Sequence, residues 1–388
     1  MKAFFRISLI NVIFILFLSF SVGFAGNKKE YPTSPPAKIA KKWRIAYLEG
    51  GPWRDYQSAL IATVEGLSKL GWTEEIAIPR PKDIHDTGEL WPWLAANVKS
   101  RYLEFAADAY YSNNWDEESR KKTKAILIKR LSEDRDIDLI IVMGTWAGQD
   151  LANNSHSVPT VVASTTDAVA AKIVKSVEDS GYDHVHARVD PALYERQIRA
   201  FHDLLGFKKL GVPFKDSVTG RSYAAIEHIE KVAEERQFQI IPYYMKYTNT
   251  DKKSPAEMIE CARELAPKID AYYAPMHDSI NPKTLPEILA ALNEYKVPTF
   301  SQHSDLVRYG LLLTVATVKF EGRGMFYAKT IARIINGAKP RALGQVYETP
   351  VKIAFNKAAA KIIDLRDDIY HLLSETADEV YEEIEVSK

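Results

Sequence analysis

The chain has 388 residues, 46% of them hydrophobic and 26% charged, and its 51 Lys and Arg balance 51 Asp and Glu to a formal net charge of +0. That balance gives no electrostatic argument for nucleic acid or an anionic membrane surface as partner. The length exceeds what one hydrophobic core usually supports, so two lobes are expected.

Met1, Lys2 and Arg6 precede an apolar run over 7–20 and the small-residue ending Gly23-Phe24-Ala25. That order predicts a secretory signal peptide over 1–25, cleaved after Ala25. No cysteine follows the cleavage point to carry a lipid, so a free periplasmic protein is expected rather than a lipoprotein. The single cysteine, Cys261, excludes an intramolecular disulfide and reads as a buried thiol in apolar company with Met258 and Leu265. Residues 26–42 are polar and Pro-rich, a tether.

Beyond the tether, short apolar runs alternate with helical segments. Strands are predicted at 43–48, 137–143 and 158–163, each followed by a helix, at 53–70, 147–152 and 168–177. Between them, 83–136 reads as a helical insert rich in aromatics (Trp91, Trp93, Tyr110, Tyr111, Trp115), with helices at 90–109 and 117–131. A second series places helices at 191–205, 220–236, 255–266 and 282–295 between strands at 209–214, 239–244, 269–274 and 297–301. The acidic end, 374–388, reads as a solvated helix. Apolar runs too short for helices, separated by helical segments, predict parallel sheets built from βαβ units, and hence an α/β fold with two sheets.

In parallel α/β sheets, ligands sit beyond the carboxyl ends of the strands, against helix N-termini. The turns Glu49-Gly50-Gly51-Pro52-Trp53-Arg54-Asp55-Tyr56, Gly144-Thr145-Trp146-Ala147 and Ser164-Thr165-Thr166-Asp167 occupy such positions in the first half. Phe214-Lys215-Asp216-Ser217, Gly220-Arg221-Ser222-Tyr223, Pro275-Met276-His277-Asp278 and Gln302-His303-Ser304-Asp305 supply a facing set. Capping and turn chemistry account for Ser, Thr, Asp and Gly at many of these places without any ligand. No nucleophile elbow, phosphate loop or His-Glu-x-x-His is present. Gly322-Arg323-Gly324 lacks the third glycine of a dinucleotide fingerprint, and a helix start explains it. His184-Val185-His186 puts two imidazoles on one face of an extended segment, with no third metal ligand evident.

Several segments carry a resemblance to a known family. Gly144-Thr145-Trp146-Ala147, the run 158–167, Lys175-Ser176-Val177-Glu178-Asp179-Ser180-Gly181, Gln197 and 206–212 resemble the substrate-binding components of ABC transporters, in the branch that contains tryptophan-binding proteins. Residues 270–275, 297–299, 335–340, Glu348-Thr349-Pro350 and Asn356-Lys357-Ala358-Ala359 extend the likeness, which covers most of 43–365. The insert and the first loop, 49–56, depart from it.

The resemblance implies a type I periplasmic-binding fold: two Rossmann-like lobes with parallel sheets, joined by a three-strand hinge. The crossings are expected near 187–189, 314–317 and 344–347. The N-lobe is then 43–185 plus 319–339, the C-lobe 190–313 plus 346–364, and 365–388 an acidic tail. The implied function is capture of a small carboxylate-bearing amphipathic solute in the interlobe cleft, closure by hinge motion, and delivery to an ABC permease by a monomer, with no catalysis, cofactor or metal. In that picture Gly51, Thr145, Thr165 and Arg54 or Arg221 hold the anionic end. Trp53, Tyr56, Trp146 and Tyr223 sandwich the apolar part, and Asp167 or Asp278, beside His277, meets an amine. Two other readings keep the fold: a sensor handing its closed form to a membrane receptor or kinase, and an enzyme using His277, Asp278 and His303 as acid and base groups.

Overall fold

The computed structural model describes residues 30–247, 251–302, 304–315 and 320–386. The expected signal segment, His303 and part of the second expected crossing lie outside the described residues. Pro32–Lys388 form one compact unit.

The apolar runs become strands because each can be covered on both faces. In β1 (Trp43–Glu49), Ile45 and Tyr47 enter one core while Ala46 and Leu48 enter the other. β2 (Leu103–Ser112), β3 (Leu139–Met143), β4 (Thr160–Ala163) and β5 (Val185–Ala187) complete the first sheet, ordered β2-β1-β3-β4-β5 with every pair parallel. β6 (Lys209–Phe214), β7 (Gln239–Tyr244), β8 (Ala271–Ala274), β9 (Thr299–Ser301), β10 (Leu313–Val315), β11 (Ile353–Asn356) and β12 (Glu379–Tyr381) form the second. Its order is β12-β11-β10-β9-β8-β6-β7, with only the β10–β11 pair antiparallel.

Three predicted elements differ. The helix expected over 90–109 stops at Asn97, and 103–112 is the edge strand β2, because buried Leu103 and Phe105 flank exposed Glu104 with a period of two. The helix expected over 168–177 is a series of turns, with Lys172 in the left-handed region at φ +57°. The acidic end places a helix earlier, at Asp367–Thr376, and then extends β11 with β12. Part of the tether is docked: Trp72 Nε1 donates to the Thr33 carbonyl at 2.7 Å, and Asn336 Nδ2 donates to those of Pro32 and Ser34.

The chain passes between lobes after β5, between residues 315 and 320, and again near 344–347. Val189 and Val346 pair in parallel at the junction, where Val189 donates to Gln345 and Tyr347 to Val189. The helix Glu321–Ile335 thereby returns to the first lobe and crosses the helix Arg54–Lys69 at very short range. A Cβ on Gly324 would fall 2.4 Å from the Ala62 backbone, and one on Gly66 would fall 2.8 Å from the Ala328 Cβ. Gly324→Ala gains about 1 kcal/mol of helix propensity but must push two backbones apart, an overpacking cost of about 3 kcal/mol. The expected net is a destabilisation of about 2 kcal/mol, read as a lower urea midpoint at unchanged slope.

Candidate functional site

The carboxyl ends of β1, β3 and β4 face those of β8 and β9 across a cavity of about 260 Å³. The first lobe lines it with Trp53, Asp55, Tyr56, Trp115, Thr145 and 164–166, and the second with Tyr194, Gln197, Tyr223, Met276, Gln302 and Asp305. The three crossings close its floor with Arg188, Phe320, Arg323 and Thr349.

The floor holds two guanidiniums in different states. Arg188 is buried and held, donating to Thr349 Oγ1 at 3.1 Å and the Tyr347 carbonyl at 3.4 Å, with Asp190 at 3.7 Å. Arg323 is half-buried 4.3 Å over the Phe320 ring, and its buried Nε has no hydrogen-bond partner among the described residues. Burial, and then the positive charge of Arg188, push the Arg323 guanidinium below its usual pKa, against the pull of Asp55. Burial likewise raises the Asp55 carboxyl, with Arg323 and Arg54 opposing. A desolvated cation without a counter-ion is costly unless an anion arrives. Gln197 adds a second orphan. Its Nε2 donates to the Val315 carbonyl at 2.7 Å, leaving Oε1 a buried acceptor without a partner among the described residues.

The first-lobe wall depends on glycines. A Cβ on Gly144 (φ +83°) would fall 1.7 Å from the Tyr56 hydroxyl, so that phenol seats only over a bare backbone. Buried Glu49 accepts from Tyr47, Thr87 and Ser112 at 2.7, 2.6 and 2.8 Å, tying the segment around β2 to the end of β1.

Across the cleft, Arg54 pairs with Asp305 at 2.6 Å, and His228 meets Asp167 at 2.8 Å. Burial opposes protonation of His228, but Asp167 and then Glu195 outweigh it, so its pKa is raised. Ser222 Oγ also donates to the Asp167 carbonyl at 3.1 Å.

The structure brings six of the predicted site residues onto the cavity wall: Trp53, Arg54, Tyr56, Thr145, Thr165 and Tyr223. Gly51 and Trp146 sit directly behind Trp115. Arg221 is outside, bonded to Glu227 and Glu230. Asp167 is engaged by His228 and by the backbone N–H groups of Val169 and Ala170. His277 is buried and accepts from Ser279 N through Nδ1. Asp278 lies off the wall, its carboxyl pushed up to about 6 by burial, with His85 and Arg54 opposing. Asp305 belongs to the facing set expected from the sequence, whereas Arg188, Tyr194, Gln197, Phe320, Arg323 and Thr349 were not anticipated as ligand-facing. Their signal is positional: Arg188 falls in the first expected crossing, and Arg323 and Thr349 shortly after the other two. Among the described residues no group of three or more His, Cys, Asp or Glu is placed to hold a metal ion. His186 Nε2 instead meets the Gly344 carbonyl at 3.0 Å, and His184 packs on His156 at 4.5 Å.

Two parallel-sheet lobes joined by three crossings over a polar-floored cavity define a type I periplasmic-binding fold. Over residues 106–380 the chain matches the family described as ABC transporter substrate binding protein, and it belongs to that family. It is 23% identical over 261 residues to a tyrosine-binding protein of Clostridioides difficile (strain R20291), covering 65% of this chain and 71% of the relative. The ABC domain in complex with L-Trp from Streptococcus pneumonia superposes with a TM-score of 0.63 at 18% identity, over 87% of this chain and 99% of that one. A conserved domain protein from Vibrio cholerae gives 0.61 at 19%, over 88% and 100%. The ligand-free, open structure of a Clostridium difficile substrate binding protein with adhesive properties gives 0.56 at 18%, over 88% and 99%. These likenesses show the fold. The family is one of binding proteins rather than enzymes, and its members are typically extracellular or periplasmic. No helix among the described residues is long and apolar enough to cross a membrane.

Proposed function

We propose that this chain is the exported, monomeric solute-binding component of an ABC importer, taking up a single amino acid with an aromatic or apolar side chain. The observation that carries the reading is the pair of guanidiniums on the cavity floor, Arg188 and Arg323, the latter with its buried Nε unbonded among the described residues. A carboxylate there gains charge-assisted hydrogen bonds and relieves the repulsion between two cations. Gln197 Oε1 and Asp55 offer acceptors to an ammonium, and Trp53, Tyr56, Trp115 and Tyr223 supply apolar surface for a side chain. A volume of about 260 Å³ suits one small solute and is short of the range of drug-sized pockets. The relatives named for tyrosine and crystallised with L-Trp support the ligand class. Binding and a hinge rotation that presents a new surface to a permease need no bond made or broken.

The test uses residues 26–388, denatured and refolded to strip bound solute, and thermal shift with L-alanine, L-valine, L-leucine, L-phenylalanine, L-tyrosine and L-tryptophan. A compound at about 100 times its Kd stabilises the fold by about 2.7 kcal/mol. A saturable shift with at least one is expected. A flat panel on folded protein sinks the amino-acid reading.

A further inference from the structure

Resting on that reading, we propose that Trp115 sets the largest side chain the cavity admits. The residue lies in the strand-to-helix turn between β2 and the helix Glu117–Lys129, at the edge of the first sheet. It follows the edge strand β2 and reaches back over the end of β1, where Gly50 and Gly51 leave room for it. A Cβ on Gly50 would fall 2.8 Å from the indole, and one on Gly51 would fall 2.6 Å from both the indole and the Trp115 backbone N.

The half-buried indole is held by several contacts. Its Nε1 donates to the Pro52 carbonyl at 2.9 Å, and its backbone N donates to Gly50 at 2.9 Å. Trp53 meets it edge-on at 6.4 Å and Trp146 at 5.5 Å. Trp146 is backed in turn by the Arg120 guanidinium, 4.6 Å over its ring and paired with Asp150 at 2.9 Å. Asn114 and Trp115 are both left-handed, at φ +48° and +59°. Two successive non-glycine residues in that region persist only where their surroundings over-determine them. With its one polar atom already bonded, what Trp115 presents to the cavity is apolar surface held in place.

A rigid wall discriminates by size, because a side chain one step too long must displace it. One methylene in an apolar pocket is worth about tenfold or more in selection. Trp115→Ala is expected to raise the affinity ratio of L-tryptophan to L-valine at least tenfold over wild type, by calorimetry on refolded protein. Trp115→Phe, which keeps an aromatic ring and guards against misfolding of the alanine variant, is expected to raise it about threefold. Ratios within twofold of wild type in both variants, with binding retained, overturn the role of Trp115 and leave the amino-acid reading standing. A wild-type protein that binds none of the six amino acids overturns the reading and this inference together.

Discussion

Arg323→Met is expected to weaken binding of whichever amino acid the panel selects by two to three orders of magnitude, and to raise the melting temperature of the ligand-free protein. Both effects follow from one feature: the guanidinium is half-buried, its buried Nε has no hydrogen-bond partner among the described residues, and burial disfavours its charge. Removing one member of a buried, hydrogen-bonded charge pair costs about 2–5 kcal/mol of affinity. In the absence of solute the same cation is an uncompensated burden, and an apolar side chain of similar length relieves roughly 1–2 kcal/mol. Arg323→Lys keeps the charge without the planar fork and should fall between the two. Calorimetry and thermal melts on the two variants check the pair of signs. Binding within threefold of wild type in Arg323→Met removes Arg323 from the anion's contacts.

Acidification from pH 6.5 to 4 is expected to strip away much of the folding free energy. Burial lowers His156, His186 and His277 to about 4 each, with His184 a lesser cause at His156. A folded pKa below the unfolded value means the native state resists taking a proton that the unfolded chain accepts. Above pH 6.5 neither state is protonated and these groups are silent. Below it, each costs about 1.4 kcal/mol per pH unit until its folded pKa is reached, roughly 3 kcal/mol apiece. Against a typical total of about 5–15 kcal/mol that is decisive. His228 works the other way: its raised pKa gives stability that is fully present below the unfolded value and lost as pH rises through the folded one. Urea midpoints at pH 7.5, 6, 5 and 4.5 measure the sum. His186→Gln should flatten the slope, and a midpoint independent of pH over this window would contradict the burial of all three imidazoles.

The lobes were legible because a buried parallel strand writes itself as a run such as Leu139-Ile140-Ile141-Val142-Met143, all five buried. β2 was not, because its Ala and Tyr content is neutral between helix and strand, and only pairing with β1 decides it. On the wall the turns were readable and the floor was not. Arg188, Arg323 and Thr349 are brought together by three crossings, and nothing local marks a guanidinium that will lose its water. Gly322-Arg323-Gly324 explains itself only in three dimensions, where Gly324 presses on Ala62 and a Cβ on Gly322 would fall 2.1 Å from the Tyr347 hydroxyl. Trp146 and Trp115 are neighbours in space, and which of them stands in front is set by the reach of the segment after β2.

The siting of the floor at the crossings has a mechanical consequence. Points near a rotation axis move least when the bodies it joins swing apart, so in the proposed hinge motion Arg188, Arg323 and Thr349, close to the crossings, would change their spacing little. Trp53 and Trp115 on one wall, and Met276 and Gln302 on the other, would separate more in that motion. Charge would therefore be recognised equally well by a gaping cleft, while shape is interrogated only as it shuts. Since solely contacts that change with angle can bias that angle, the anion would supply residence and the side chain would supply the signal.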